Sequence, residues 1–338
     1  MKILVTGGTG YIGSHTVVEL QKRGHEVIII DNLSNSYSTV VDQIEKITGE
    51  RPVFEVFDLT DKEKTAAFFQ HNSDLDGIIH FAAYKAVGES VEKPLKYYRN
   101  NLESLLNILD GMQEFKIPSL VFSSSCTVYG EPDELPVSEA APIKPATSPY
   151  GNTKQISEEI IRDTAANSSF NAILLRYFNP IGAHESALIG ELPIGVPNNL
   201  VPYITQTAAG IREQLSVFGD DYDTPDGTAI RDYIHVSDLA KAHIAALERM
   251  AHKKSKEKVE AFNVGTGNGY SVLEVIRAFE KSTGEKLNYK IAPRRAGDVE
   301  KVWSETTLAN NELGWKAEKN IEEMMASAWK WQLTLEKK

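Results

Sequence analysis

The stretch Lys2-Ile3-Leu4-Val5-Thr6-Gly7-Gly8-Thr9-Gly10-Tyr11-Ile12-Gly13 decides how the rest of the chain is read. A short β-branched run enters a glycine turn, and an amphipathic stretch, Tyr11 to Arg23, leaves it. Glycines at 7, 10 and 13 form a variant of the dinucleotide fingerprint. The first permits a tight turn, the second lets backbone approach a pyrophosphate, and the third allows close helix–strand packing. The helix start then offers unpaired N–H groups and a positive dipole end to phosphate. A second apolar run ends in Asp31, close to the roughly 20-residue spacing of a ribose-binding acid. An acid there favours NAD over NADP, because it would repel a 2′-phosphate. The competing reading is a purely structural glycine turn with Asp31 capping a loop. The strand–turn–helix context together with the acid favours the dinucleotide.

Working outward, short apolar runs alternate with amphipathic stretches. Strands are predicted at Lys2–Thr6, Glu26–Asp31, Val53–Val56, Gly77–Phe81, Ser119–Ser123 and Asn171–Tyr177. Helices are predicted at Tyr11–Arg23, Thr39–Thr48, Asp61–Gln70, Pro94–Gln113 and Pro149–Ala166. Thr60 with Glu63 reads as a capping box, and Ser148-Pro149 as an N-cap followed by proline. This alternation predicts an α/β fold, a doubly wound parallel sheet covered on both faces. The near-uniform apolarity of the strands agrees with burial on both sides. Residues 180–199 read as a long loop rich in Gly, Pro and Asn. Helices are predicted at Leu200–Ile211 and Val236–Met250, a strand at Ala261–Val264, and a capping box at Ser271 to Glu274. The expected division is a dinucleotide-binding Rossmann domain, 1–178 plus about 231–264, and a smaller α/β substrate domain, 179–230 plus 265–338.

The 338 residues carry 36 Lys and Arg against 47 Asp and Glu, a net charge of −11. That balance argues against nonspecific nucleic-acid binding and against docking on anionic membranes. The single cysteine, Cys126, cannot form an internal disulfide, so a reducing compartment fits. No targeting segment or membrane-spanning run is visible, and a cytoplasmic location is expected. The eight histidines form no ligand-spaced cluster, and no metal is expected.

Chemistry-bearing residues fall at predicted strand ends. Asp58, after the third strand, could accept from an adenine amino group or cap the following helix. Ala82 and Ala83 would leave room for a cofactor, or simply pack. Strand five ends in Ser123-Ser124-Ser125, and Tyr150 and Lys154 share one face at a helix start, with Cβ atoms about 5–6 Å apart. A neighbouring ammonium stabilises phenolate and is expected to lower the pKa of the tyrosine, which makes it a base for an alcohol proton. A serine hydroxyl nearby could share that proton.

The Thr6–Gly13 loop, Ser123–Ser125 and the Tyr150/Lys154 pair resemble the extended short-chain dehydrogenase/reductase superfamily. Further stretches, His80–Ser90, Arg176–Pro180, Ile194–Leu200, Gly227–Val236 and Ala292–Asp298, are similar to the UDP-glucose 4-epimerase family within it. The resemblance spans nearly the whole chain. It implies an isomerase of galactose and nucleotide-sugar metabolism holding NAD tightly, with UDP-hexose substrates. It implies that Tyr150 takes the 4-hydroxyl proton with Ser125 as partner, and that Lys154 bonds the nicotinamide ribose. Implied cofactor contacts are Gly7, Gly10, Tyr11, Ile12, Gly13, Asp31, Asn32, Asn35, Ser36, Asp58, Leu59, Phe81, Ala82, Ala83, Lys85, Asn100, Ser123, Tyr150, Lys154, Tyr177 and Phe178. A 4-keto sugar would swing about its pyrophosphate and take the hydride back on its other face. That rotation needs a remote anchor. Arg231 and Arg295 match the pyrophosphate-binding arginines, and guanidinium suits bidentate phosphate contacts. Asn179, Asn199, Leu200, Val217, Phe218, Tyr233, Asp298 and Val302 match sugar- or uridine-contacting positions. The ordinary alternatives are that Asn199 caps the next helix and that Phe218 is core.

Two departures matter. Cys126 stands where small residues such as Ala are frequent, and is expected to pack. Val302 occupies a place where some relatives carry tyrosine and others a small side chain. The small type goes with acceptance of N-acetylated sugars, so UDP-GlcNAc and UDP-GalNAc are expected as further substrates. A dehydratase of the same superfamily would need an acid–base pair where Cys126 and Thr127 stand. A reductase would exchange its cofactor. A noncatalytic dinucleotide sensor would have no need of Tyr150, Lys154 or the arginines. The resemblance also implies a homodimer through the helices at Pro94–Gln113 and Pro149–Ala166.

Overall fold

The computed structural model describes residues 1–295 and 298–335. The elements run β1 (Lys2–Thr6), α1 (Tyr11–Lys22), β2 (Glu26–Asp31), α2 (Thr39–Thr48), β3 (Val53–Val56), α3 (Lys62–His71), β4 (Gly77–His80), α4 (Val87–Glu92), α5 (Pro94–Phe115), β5 (Ser119–Ser123), a 3-10 turn (Cys126–Tyr129), α6 (Pro149–Ala166), β6 (Asn171–Tyr177) and β7 (Asn179–Ile181). They continue with α7 (Leu200–Ala208), β8 (Leu215–Phe218), β9 (Ile230–His235), α8 (Val236–Ala251), β10 (Val259–Val264), β11 (Gly269–Ser271), α9 (Val272–Thr283), β12 (Tyr289–Ala292), β13 (Lys301–Val302) and α10 (Ile321–Leu335).

Seven strands form one sheet in the order β10-β6-β5-β4-β1-β2-β3. Every pairing in it is parallel. Successive side chains of a strand face opposite sides, so Ile3 and Val5 enter one core and Leu4 the other. Val27 and Ile29 likewise separate from Ile28 and Ile30. The first core is roofed by α1, α2 and α8, the second by α3, α5 and α6. The order reverses between β1 and β4, and such switch points open a crevice at the carboxyl ends of the strands.

The remaining strands form a four-stranded sheet, β11-β9-β13 with β7 on β9, and a two-stranded ribbon of β8 and β12. A third core of Ile181, Ile204, Leu215, Val275, Phe279, Met324 and Met325 joins these to α7, α9 and α10. Of the segment 231–264 expected in the dinucleotide domain, α8 and β10 meet the seven-stranded sheet, but β9 belongs to the smaller one. The chain changes sheets at His235, whose Nδ1 accepts from the Ser237 N–H and caps α8.

Three local expectations change. Thr60 does not cap α3. Its hydroxyl donates to Asp58 Oδ1 (2.7 Å), and Asp61 accepts from the Lys64 N–H instead. The helix at Leu200 stops at Ala208 rather than Ile211. The strand at Val53 is an edge strand, with Val53 and Val56 exposed rather than buried on both faces. The capping box at Ser271 and Glu274 and the Ser148 cap form as expected.

Candidate active site

The glycine loop closes tightly on itself. The Gly10 N–H donates to the Gly7 carbonyl (3.1 Å), and Gly10 caps α1 with no side chain over the first turn. Gly7 has φ +69°, and a Cβ on it would stand 2.9 Å from the Ala82 nitrogen. A Cβ on Gly13 would stand 2.2 Å from the Gly7 oxygen. The loop is therefore a bare backbone cradle at a helix N-terminus, shaped as a pyrophosphate requires. Tyr11 and Ile12 open the helix. The Tyr11 hydroxyl donates to the Gly182 carbonyl (2.6 Å) and so ties α1 to the loop after β7.

Asp31 ends β2 beside this loop. Its carboxylate accepts from the Thr9 N–H (3.2 Å), the Leu33 N–H (2.9 Å) and the Ser36 hydroxyl (3.2 Å). A carboxylate has about four lone-pair sites, so one remains for a ribose hydroxyl. Asn32 bridges from this turn to the next strand end by donating to Asp58 Oδ2 (2.8 Å). Asp58 also accepts from the Thr60 N–H and hydroxyl, which hold its carboxyl below the usual range against the opposing effect of partial burial. Asn35 lies in the same loop as Ser36, and Leu59 is buried behind Asp58.

Phe81, Ala82, Ala83 and Lys85 follow β4 on the same sheet edge. Asn101 on α5 sets this loop in place. Its amide accepts from the Tyr84 N–H (2.9 Å) and donates to the Tyr84 carbonyl and to Thr153 on α6. Asn100 donates to that same amide (3.0 Å), and Lys85 pairs with Glu191 (3.3 Å). Asn101 is missing from the sequence-derived set. The signal for it was a buried amide on the apolar face of α5.

Ser125, Tyr150 and Lys154 meet where β5 ends and α6 begins. The Lys154 ammonium donates to the Ser123 carbonyl (2.6 Å) and stands 4.8 Å from the Phe122 ring centroid and 5.9 Å from that of Tyr150. Burial lowers the Lys154 pKa to about 8, with Glu158 opposing. Burial drives the Tyr150 phenol well above its ordinary value, and the Ser125 hydroxyl only partly offsets that. The expected depression of the tyrosine by Lys154 is thus reversed in the protein alone. Desolvation of the phenolate outweighs the stabilisation that the nearby ammonium offers. Ser123 and Tyr177 share a hydroxyl bond (2.7 Å), and Phe178 is buried beside them.

The smaller sheet brings the remaining residues to the same end. Asn179 lies opposite Tyr233, and Val302 opposite Arg231, in the strand registers. Arg231 donates to the Ile230 carbonyl (2.8 Å). Arg295 is bidentate to Asp298 (2.7 and 3.1 Å) and lies over the Phe218 ring at 5.7 Å. Phe218 is 40% exposed, which excludes the core alternative. Asn199 precedes Leu200 and α7 but does not cap it. Its amide donates to Glu191 (2.6 Å). Val217 packs inside the third core. Val302 is buried in a small apolar cluster with Val128, Tyr129, Val137 and Phe178, against which Cys126 packs. Burial pushes the Cys126 thiol up to about 12.

A model of the NAD dependent epimerase/dehydratase family matches residues 3–265. The UDP-glucose 4-epimerase of Bacillus subtilis is 50% identical over 333 residues, 98% of this chain and 97% of the relative. The crystal structure of UDP-glucose-4-epimerase from Stenotrophomonas maltophila, with bound NAD and formylated UDP-arabinopyranose, superposes with a TM-score of 0.96 at 48% identity, covering 100% of this chain and 99% of that one. That of the Bifidobacterium longum enzyme in complex with NAD+ and UDP gives 0.94 at 48% identity, covering 99% and 98%.

Proposed function

The chain belongs to the NAD dependent epimerase/dehydratase family and within it to the UDP-glucose 4-epimerases, and from that premise we propose that it interconverts UDP-glucose and UDP-galactose with NAD as its cofactor. The observation that carries the reading is the meeting of Ser125, Tyr150 and Lys154 at the sheet edge that also presents the bare glycine cradle and Asp31. The cradle at Gly7, Gly10, Tyr11, Ile12 and Gly13 would hold the pyrophosphate of NAD, and Asp31 a ribose. Asn32, Asn35, Ser36, Asp58 and Leu59 lie toward its adenine end. Phe81, Ala82, Ala83, Lys85, Asn100, Ser123, Tyr177 and Phe178 lie toward the other. Bound there, NAD would accept a hydride from C4 of the hexose and return it.

The chain's own residues do the rest. Burial keeps Tyr150 a neutral phenol, so it becomes a base only when positive charge is brought against it, and Lys154 supplies part of that charge. Tyr150 takes the 4-hydroxyl proton, Ser125 shares it, and both return it after the 4-keto sugar has turned. Arg231 and Arg295 hold the pyrophosphate during the turn, so Asp298 must release Arg295 when substrate enters. Asn179, Asn199, Leu200, Val217, Phe218, Tyr233 and Asp298 belong to the sugar and uridine side. The corresponding division is a cofactor unit on the seven-stranded sheet and a UDP-sugar unit on the smaller ones. The test is turnover of UDP-galactose by the purified protein without added NAD. Tyr150→Phe should abolish it, and full turnover by that variant refutes the mechanism.

Val302 supports a wider range. A buried valine there leaves more room than tyrosine, and UDP-GlcNAc and UDP-GalNAc fit the reading as further substrates. Val302→Tyr should suppress only the acetylated activity, and wild-type protein inert toward UDP-GalNAc refutes it. We further infer a homodimer across α5 and α6, supported by exposed Leu95 and Leu106 on α5 and testable by light scattering of Leu95→Glu. The lone unpaired Cys126 fits a cytoplasmic location, which cell fractionation would test.

A further inference from the structure

Lys154 and Glu158 are one turn apart on α6 and reach consecutive residues of one segment. The Lys154 ammonium donates to the Ser123 carbonyl (2.6 Å), and the Ser124 hydroxyl donates to Glu158 Oε1 (2.6 Å). The next residue is Ser125. Glu158 is itself fixed by Arg176 on β6, whose Nε donates to Oε1 (2.9 Å) and whose second terminal nitrogen donates to Oε2 (2.6 Å). On its far side Arg176 donates to the Tyr129 hydroxyl (3.0 Å), which donates to Asn263 (2.6 Å). Ser124 is fully buried, and Glu158 and Arg176 are nearly so.

A buried ion pair adds little net stability, because desolvation offsets the Coulomb gain. Packing alone would be served by apolar side chains, so the pair calls for a geometric explanation. The ladder between β5 and β6 ends at Ser123, and no strand pairing holds residues 124 and 125. On α6, Lys154 holds the last strand residue, Ser123, and Glu158 holds Ser124, while Ser125 accepts from the Thr127 N–H at its hydroxyl and from the Val128 N–H at its carbonyl. That helix also carries Tyr150. The strand end that leads into Ser125 is thereby tied to the helix that carries Tyr150, with Arg176 anchoring the tie to β6. We propose that Glu158, buttressed by Arg176, is a positioning residue that fixes Ser125 against Tyr150 for proton transfer. The proposal rests on the reading of Ser125, Tyr150 and Lys154 as the proton-transfer set.

The test compares Ser124→Ala with Tyr129→Phe, two single-hydroxyl deletions from opposite sides of Arg176. Misplacement of a reacting group by about 1 Å costs on the order of 100-fold in rate, and loss of one arm of the clamp should cost roughly tenfold in kcat with KM held within about twofold. Ser124→Cys, which keeps a donor at that position, weaker and on a larger atom, should fall between Ser124→Ala and wild type. Tyr129→Phe should lower Tm comparably and keep kcat within about twofold. Equal losses of kcat in the two deletions, a loss confined to KM, or wild-type kcat in Ser124→Ala overturns the proposal. Tyr150→Phe, assayed in the same series, separates the two failures. Full turnover there sinks the proton-transfer reading, whereas an inactive Tyr150→Phe beside a fully active Ser124→Ala sinks only the clamp.

Discussion

Gly13→Ala sets helix propensity against packing, and the structure decides the sign. Gly13 lies in the first turn of α1, and on propensity alone alanine should gain about 1 kcal/mol over glycine in a helix. The added Cβ would stand 2.2 Å from the Gly7 oxygen, 2.9 Å from Gly8 Cα and 3.0 Å from the Gly7 carbonyl carbon. All three are backbone atoms, and none can swing aside. Restoring ordinary contact requires loop and helix to part by roughly 1 Å, and overpacking of this kind costs about 1–3 kcal/mol, occasionally more. With a 2.2 Å backbone contact to relieve, packing outweighs propensity, for a net loss of up to about 2 kcal/mol. For 338 residues, unfolding with about 2.1 cal/mol/K each, that lowers Tm by up to about 3 °C. Gly88→Ala is the matched control. It lies in α4 with nothing within 4 Å of its added Cβ, so only the propensity gain acts. Calorimetry at one fixed scan rate on cofactor-stripped protein should show shifts of opposite sign. The parted loop should also lower the cofactor released on denaturing protein as purified. A Gly13→Ala melting point at or above wild type refutes the reasoning.

Three other outcomes follow from buried groups. Burial holds His15 and His80 at about 3, and His235 and His243 at about 4, below the unfolded value of 6.5. Below pH 6.5 the unfolded chain takes up protons that these folded rings refuse. Stability is therefore fully present above pH 6.5 and falls as pH drops toward 4, by about 1.4 kcal/mol per pH unit for each histidine; urea unfolding at pH 7 and pH 5 should show a lower midpoint at pH 5. Ser271→Ala removes the cap of α9 and a bond to Asp226, and should cost about 1–2 kcal/mol, read as a lower urea midpoint at unchanged m. With its pKa near 12, Cys126 should be about one part in 10⁵ thiolate at pH 7, so native protein should alkylate far more slowly than protein unfolded in urea.

The Rossmann half was legible because its signals are local and repeated. Glycine spacing, apolar runs and proline or serine at helix starts placed β1 through β6 within a residue or so. The smaller sheet was not. Its strands are two to six residues long, and such runs carry no period to read. Thr60 failed as a cap because Asp58, two residues earlier, competes for the same hydroxyl. Tyr150 shows the limit on the chemical side. Spacing correctly brought a lysine near, but the phenol's acidity depends on how much water the fold removes. Asn101 and the Glu158–Arg176 pair join residues 17 or more apart in sequence, and the partners of such long-range bonds leave no local pattern.

The place of β10 in the sheet bears on how the chain is made. β10 is the edge partner of β6, and α8, just before it, covers α1. Both arrive only after the whole stretch from β7 to β9. During synthesis the glycine loop and Tyr150 emerge long before the sheet around them is complete, and the interval leaves β6 as an open edge and α1 without its roof. Unpaired edges of this kind recruit other chains. A polypeptide interrupted near residue 180 would have every glycine of the cradle and would still be a hazard to its neighbours.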